Sequence, residues 1–341
     1  MVTPRILALG TAVPAPRFNQ AELLGLAGYR DPLRRNFFLR SDIDGRHFFV
    51  DPIRPRTDED VDELAARFRA GSVALGTQAI QAVLERADLD VAQVDFLATT
   101  TCTGRLCPSL DAHLIRALGF REDVQRVHVG DTGCASAIVA LQQAYNHLRA
   151  FPGHRALVVA VEICSATYFL DDSPETAVAN AIFADGAAAV LLGTEGEGVA
   201  IAGHRTLIRT EHLDRMGFTF PGGRHRIRLS KEIRHIAPLM LEEVATRLLK
   251  DHGLTRDDVR FWVLHSAGRR VIERAQVALG LPDADLAYSR AVLRRFGNMS
   301  SATVLFVLDE VLRTGHPRPG DWGTMVALGP GFAAEGALLR W

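Results

Sequence analysis

The chain has 341 residues, a formal net charge of −1 and 48% hydrophobic residues. That length suggests two domains or one large one, with enough apolar content for a sizeable core. The near-neutral charge argues against a dedicated nucleic-acid binder, which usually carries a strong basic bias, and no run approaches the roughly eighteen apolar residues of a membrane span.

Taken in chain order, MVTPRILALGTAVPAP at the N-terminus lacks the charged-then-apolar pattern of a signal peptide. VLERADLDVAQVDFLATT (83–100) reads as a helix end, a turn and a buried strand. VGDTGCASAIVALQQAY (129–145) places Cys134 between a glycine and a run of small residues, at the mouth of a helix. A helix N-terminus offers free N–H groups and a positive dipole end, and both favour thiolate. The stretch 205–235, which includes FTFPGGRHRIRLSK, is the least regular and carries many arginines. It is either a solvated hairpin face or a surface near a phosphate-bearing ligand. RLLKDHGLTRDDVRFWVLH (247–265) again reads as a helix end, a turn and a buried strand, and GNMSSATVLFVLDEVLRT (297–314) as small residues leading into an amphipathic helix.

These segments repeat. Leu84, Leu89, Val94 and Phe96 match Leu249, Leu254, Val259 and Phe261 at a constant offset. GCASAIVALQQAYNHLRA matches GNMSSATVLFVLDEVLRT at nearly the same offset, so that Cys134 falls on Asn298, and ALVVAVE then matches TMVALGP. Strands rich in Val, Ile and Leu alternate with helices, the pattern of sheets covered on both faces. The expectation is two similar α/β halves, residues 1–196 and 197–341, packed about a pseudo-two-fold axis. The helix starts bearing Cys134 and Asn298 would converge near that axis.

A catalytic cysteine needs a partner that manages protons or charge. His265 ends the strand FWVLH, where ligands usually meet an α/β sheet. Asn298 suits a helix N-cap, but the repeat places it opposite the thiol. The cysteines Cys102, Cys107, Cys134 and Cys164 form no C-x-x-C pair, so no metal site is expected and free thiols in a reducing, cytoplasmic compartment are. Cysteine, histidine and asparagine fit papain-like hydrolysis, whose local signature is absent. They also fit carbon–carbon bond formation on thioesters, in which cysteine carries an acyl group while histidine and asparagine stabilise an enolate as carbon dioxide leaves.

GTAVP, PSLDAHLIRALGF, GCASA, VEICSATYFLDD, AIFADGAAAVLLG, FGNMSSATVLFVLDE and ALGPGFAAEGALLRW together resemble the bacterial type III polyketide synthases, chalcone synthase-like members of the thiolase and ketoacyl synthase III superfamily. The resemblance covers nearly the whole chain. It implies thiolase-like duplicated halves in a five-layered αβαβα arrangement. It further implies Cys134 as the acyl-accepting nucleophile, with His265 and Asn298 as the decarboxylation and oxyanion pair. Phe183 and Phe220 match aromatic gatekeepers, and Cys102, Cys164, Thr167 and Ser300 match cavity-lining positions. Cys107 matches a residue extended toward a partner subunit, hence a homodimer. Acyl-CoA and malonyl-CoA are the implied substrates, with no cofactor beyond them.

The departures concern substrate delivery. The usual His-Pro-Gly-Gly reads His265, Ser266, Ala267, Gly268, and the added side chains could narrow the pantetheine tunnel. Ala137 and Ile138 stand where two glycines usually follow the cysteine. RSDIDGRHFF carries Asp42 and Asp44 where CoA-contacting lysines are usual, leaving Arg46, with Ala267 and Gly268, as the expected CoA contacts. An acyl carrier protein feeding an acyltransferase or single-condensation synthase is the alternative.

Overall fold

The computed structural model describes residues 2–49 and 60–341. Among these, nine strands hydrogen-bond into one sheet. Their spatial order is Val259–Leu264, Trp322–Gly329, Ala333–Arg340, Val199–Ile208, Arg5–Ala12, Gly186–Gly193, Ala156–Glu162, Phe96–Thr101 and Gln125–Gly130. Two arms meet where Arg5 pairs with Ala200 and Ile6 with Val199. From that junction each arm runs through two antiparallel pairings and then a parallel one. The parallel pair is Ala156–Glu162 with Phe96–Thr101 in one arm and Trp322–Gly329 with Val259–Leu264 in the other. The strand segments that match in sequence therefore hold equivalent places. The edge strand Gln125–Gly130 has no counterpart in the second arm among the described residues.

The layers follow from side-chain alternation. Ala156–Glu162 is buried at every position. Its Ala156, Val158 and Ala160 join an inner cluster, while Leu157, Val159 and Val161 join an outer one. In the other arm, Phe261 and Val263 face the inner cluster, Trp262 and Leu264 a second outer one. Period-two alternation in strands apolar on both faces demands a covering layer on each side. Helices Ser136–Ala150 and Thr303–Thr314 fill the inner layer. Helix Val61–Ala87 covers one arm from outside, and Ile233–Asp251 and Arg269–Leu279 cover the other. The result is a five-layered αβαβα arrangement. No helix among the described residues is long and apolar enough to cross a membrane.

The arginine-rich stretch resolves into the end of strand Val199–Ile208 and a hairpin of Met216–Thr219 with Arg226–Leu229. Its arginines are matched by acids: Arg205 with Asp251, Arg209 with Glu243, Arg226 with Asp171. These pairs brace the stretch against its neighbours.

Candidate active site

Cys134 lies in the short turn Gly133–Ala135 that feeds helix Ser136–Ala150. Gly133 has φ 59°, and a Cβ there would stand 2.2 Å from Pro330 Cδ of the opposite arm. Only glycine meets both demands. Asn298 follows Gly297, whose φ is 75°, and a Cβ on Gly297 would stand 2.8 Å from the Ile182 carbonyl oxygen. The Asn298 backbone is held on both sides: its N–H donates to Ile182 O at 2.8 Å, and its carbonyl accepts from Ala184 N at 2.9 Å. Phe183 thereby forms an isolated parallel bridge to Asn298.

A run of contacts joins the three expected catalytic residues. Cys134 Sγ lies 3.4 Å from Ser300 Oγ. Ser300 N–H donates to Asn298 Oδ1 at 2.9 Å, and Asn298 Nδ2 donates to Ala267 O at 3.2 Å. Ala267 N–H in turn donates to His265 O at 2.9 Å. Asn298 Oδ1 also lies 3.4 Å from the Thr303 hydroxyl. The carboxamide is thus fixed with its oxygen bound and one N–H without an acceptor among the described residues. His265 is 3% exposed, and neither ring nitrogen has a hydrogen-bond partner among the described residues. A buried imidazole with two idle nitrogens is costly unless a ligand uses them.

Burial pushes the Cys134 thiol up to about 12, the Ser300 hydroxyl opposing it and nearby Glu162 adding to it. Burial also pulls His265 down to about 4. The helix start is present, but desolvation outweighs its dipole. Desolvation thus favours the neutral form of both side chains.

Cys102 and Cys164 are buried, and burial followed by the Glu162 charge raises both thiols well above the usual range. Cys102 Sγ lies 3.2 Å from Ser300 Oγ, and the Thr167 hydroxyl donates to Cys164 O at 2.9 Å. Glu162 is an important residue that sequence reasoning left without a role. It is fully buried, its carboxyl raised by burial, and it accepts from Cys102 N at 3.1 Å, from the Thr103 hydroxyl at 2.8 Å and from the Ser301 hydroxyl. Its signal was available: a lone acid at the C-terminal end of the buried strand ALVVAVE.

Two expectations are corrected. Arg46 does not contact a phosphate. It is fully buried, its guanidinium donates to Gln20 Oε1, Asn180 O and Phe183 O, and it lies over the Phe38 and Phe48 rings. It braces the segment that bridges to Asn298. Phe220 lies at the hairpin tip, 48% exposed, with the Arg105 guanidinium over its ring and His225 edge-on. Ser266 does not narrow a tunnel, because its hydroxyl is buried and donates to Ser289 O while the Ser289 hydroxyl donates to Leu264 O. Gly268, with φ 150°, opens helix Arg269–Leu279, and Ala267 is occupied by Asn298. Asp42 faces Arg269 at 3.7 Å, which offsets its charge. Cys107 is exposed, and Ala137 and Ile138 pack in the inner layer.

The fold is the thiolase-like one. Structures closely similar over almost the whole chain include PKS-I from the brown alga Ectocarpus siliculosus (TM-score 0.93, 32% identity, 100% of this chain and 98% of that one). Another is 1,3,6,8-tetrahydroxynaphthalene synthase from Streptomyces coelicolor A3(2), with a TM-score of 0.94 and 25% identity over 99% of both chains. The family model described as FAE1/Type III polyketide synthase-like protein matches residues 56–216, and that of chalcone and stilbene synthases, C-terminal domain, matches 208–341. The 3,5-dihydroxyphenylacetyl-CoA synthase of Streptomyces toyocaensis is 35% identical over 99% of this chain and 90% of its own length. The 1,3,6,8-tetrahydroxynaphthalene synthase of Streptomyces peucetius subsp. caesius is 35% identical over 98% of this chain and 93% of its own length. The chain belongs to the type III polyketide synthases, acyltransferases that join acyl units by decarboxylative condensation.

Proposed function

We propose that this enzyme loads an acyl group from a CoA thioester onto Cys134 and extends it with malonyl-CoA, with residues 1–196 supplying the nucleophile and 197–341 the histidine and asparagine. His265 accepts the thiol proton as sulfur attacks the acyl carbonyl and returns it to the departing sulfur, so CoA leaves as its thiol. The malonyl thioester then takes the place of the departing CoA. Breaking its carboxylate C–C bond releases carbon dioxide and leaves an enolate, whose oxygen accepts hydrogen bonds from the idle Asn298 N–H and from the N–H of the neutral His265 ring. The enolate carbon attacks the acyl carbonyl on Cys134 and expels the sulfur as thiolate, which takes up a proton from solvent to regenerate the thiol. Preorganised donors of this kind each contribute roughly 3 kcal/mol to a transition state.

The observation that carries this reading is the link from Cys134 Sγ through Ser300 to the Asn298 carboxamide and on to the backbone of the His265 loop, together with two His265 ring nitrogens and one Asn298 N–H that have no partner among the described residues. CoA is favoured as the carrier because relatives are named 3,5-dihydroxyphenylacetyl-CoA synthase and because the Ser266 hydroxyl is buried against the Ser289 carbonyl. The reading calls for no cofactor beyond the thioesters. The edge strand Gln125–Gly130, open at the end of the sheet, supports a homodimer formed on that side. Intact-protein mass measurement tests the reading. Malonyl-CoA with a candidate starter should leave an acyl adduct on the wild-type chain and none on Cys134→Ala. An adduct formed only with malonyl-carrier protein would replace CoA as the carrier.

A further inference from the structure

Within the turn that follows Asn298, Ser300 holds φ at 48°. That left-handed region is strained for any residue with a side chain. The conformation aims the Ser300 N–H at Asn298 Oδ1, 2.9 Å away, and brings its hydroxyl within 3.4 Å of Cys134 Sγ and 3.2 Å of Cys102 Sγ. Ser300 itself is 2% exposed. If the residue relaxed to the right-handed region, its N–H would swing off Oδ1. The carboxamide would then keep only the long Thr303 contact on its oxygen.

We propose that Ser300 is a positioning residue for the condensation: its left-handed backbone aims the Asn298 carboxamide, and its hydroxyl orients the Cys134 thiol. This rests on the roles given above to Cys134 and Asn298. The backbone effect acts in the second half and the hydroxyl effect in the first, so one residue sets the register between nucleophile and oxyanion donor.

Two substitutions separate the effects. Ser300→Gly removes the hydroxyl but favours positive φ, so the turn and the aim of Asn298 survive. Ser300→Thr keeps a hydroxyl, but a β-branched residue resists positive φ. In Ser300→Gly, alkylation of Cys134 by iodoacetamide, read by peptide mass at pH 8, should slow about fivefold. That is the effect of one hydrogen bond to sulfur, and the pH profile should move upward. Decarboxylation of malonyl-CoA should fall less in Ser300→Gly than in Ser300→Thr. In Ser300→Thr, kcat for decarboxylation should fall about tenfold or more with KM little changed, as expected for a misaligned donor; a methyl group that merely blocked access would raise KM instead. The proposal is overturned by wild-type alkylation in Ser300→Gly, by decarboxylation falling as far in Ser300→Gly as in Ser300→Thr, or by a normal kcat in Ser300→Thr. Should Ser300→Thr not fold, the alkylation readout on Ser300→Gly still decides. The alkylation profile needs no substrate, so it stands apart from the broader reading, which fails instead if Cys134→Ala still carries acyl adducts.

Discussion

The turns at Cys134 and Asn298 are built alike and finished differently. Each begins with a glycine at positive φ, pressed against the opposite arm: Gly133 on Pro330, Gly297 on the Ile182 carbonyl. Each leads into a helix of the inner layer. Beyond that they diverge. Asn298 is held through its backbone N–H and carbonyl, and through both atoms of its carboxamide. The Cys134 side chain has the Ser300 hydroxyl as its polar contact. The difference matches what the two positions must do. An oxyanion donor works best when it cannot reorganise, whereas a nucleophile must change bonding partners and carry a growing group.

The comparison can be broken at several points, from largest effect to smallest. Cys134→Ala should abolish acyl loading outright, as measured by intact mass. Asn298→Ala should still load a starter yet release carbon dioxide from malonyl thioester on the order of 10²–10³ more slowly; near-normal release would remove Asn298 from the mechanism. Gly133→Ala and Gly297→Ala should each destabilise by roughly 1–3 kcal/mol through backbone strain and collision. They should differ in activity, the first slowing acyl loading and the second decarboxylation. Equal loss of both steps in both variants would mean that the turns serve packing alone.

Acid should discriminate as well. Burial holds His265 and His204 at about 4, below the usual 6.5 of histidine. The unfolded chain therefore binds protons that the folded chain does not. This stability is complete above about pH 6.5 and is lost as pH falls toward 4, by roughly 2 kcal/mol for each group at pH 5. Urea unfolding at pH 7 and pH 5 should show a smaller difference in His204→Phe than in wild type. The smallest effect is expected at Phe220. With its ring half exposed, Phe220→Ala should change stability by no more than about 0.5 kcal/mol. A shifted product profile on a sample of unchanged melting temperature would mark Phe220 as a gatekeeper, and an unchanged profile would remove it from that role.

Much of the architecture was legible in the chain alone. Leu84, Leu89, Val94 and Phe96 recur as Leu249, Leu254, Val259 and Phe261 because both sets build one helix-to-strand unit, and burial on two faces tolerates little else there. The same repeat set Asn298 opposite Cys134, and the end of a buried strand singled out His265. What the chain alone could not say was where side chains point and what surrounds them. Arg46 reads as a surface cation, yet it turns inward because the carbonyls of Asn180 and Phe183 offer it acceptors. That Phe220 sits at a hairpin tip was not legible, and Glu162 was overlooked although it anchors Cys102, Thr103 and Ser301. The helix start favours a thiolate, and desolvation of Cys134 opposes it. Periodicity and repeats are properties of neighbours along the chain, which a sequence records directly. Hydrogen-bond partners and desolvation depend on segments hundreds of residues apart, and only their packing decides them.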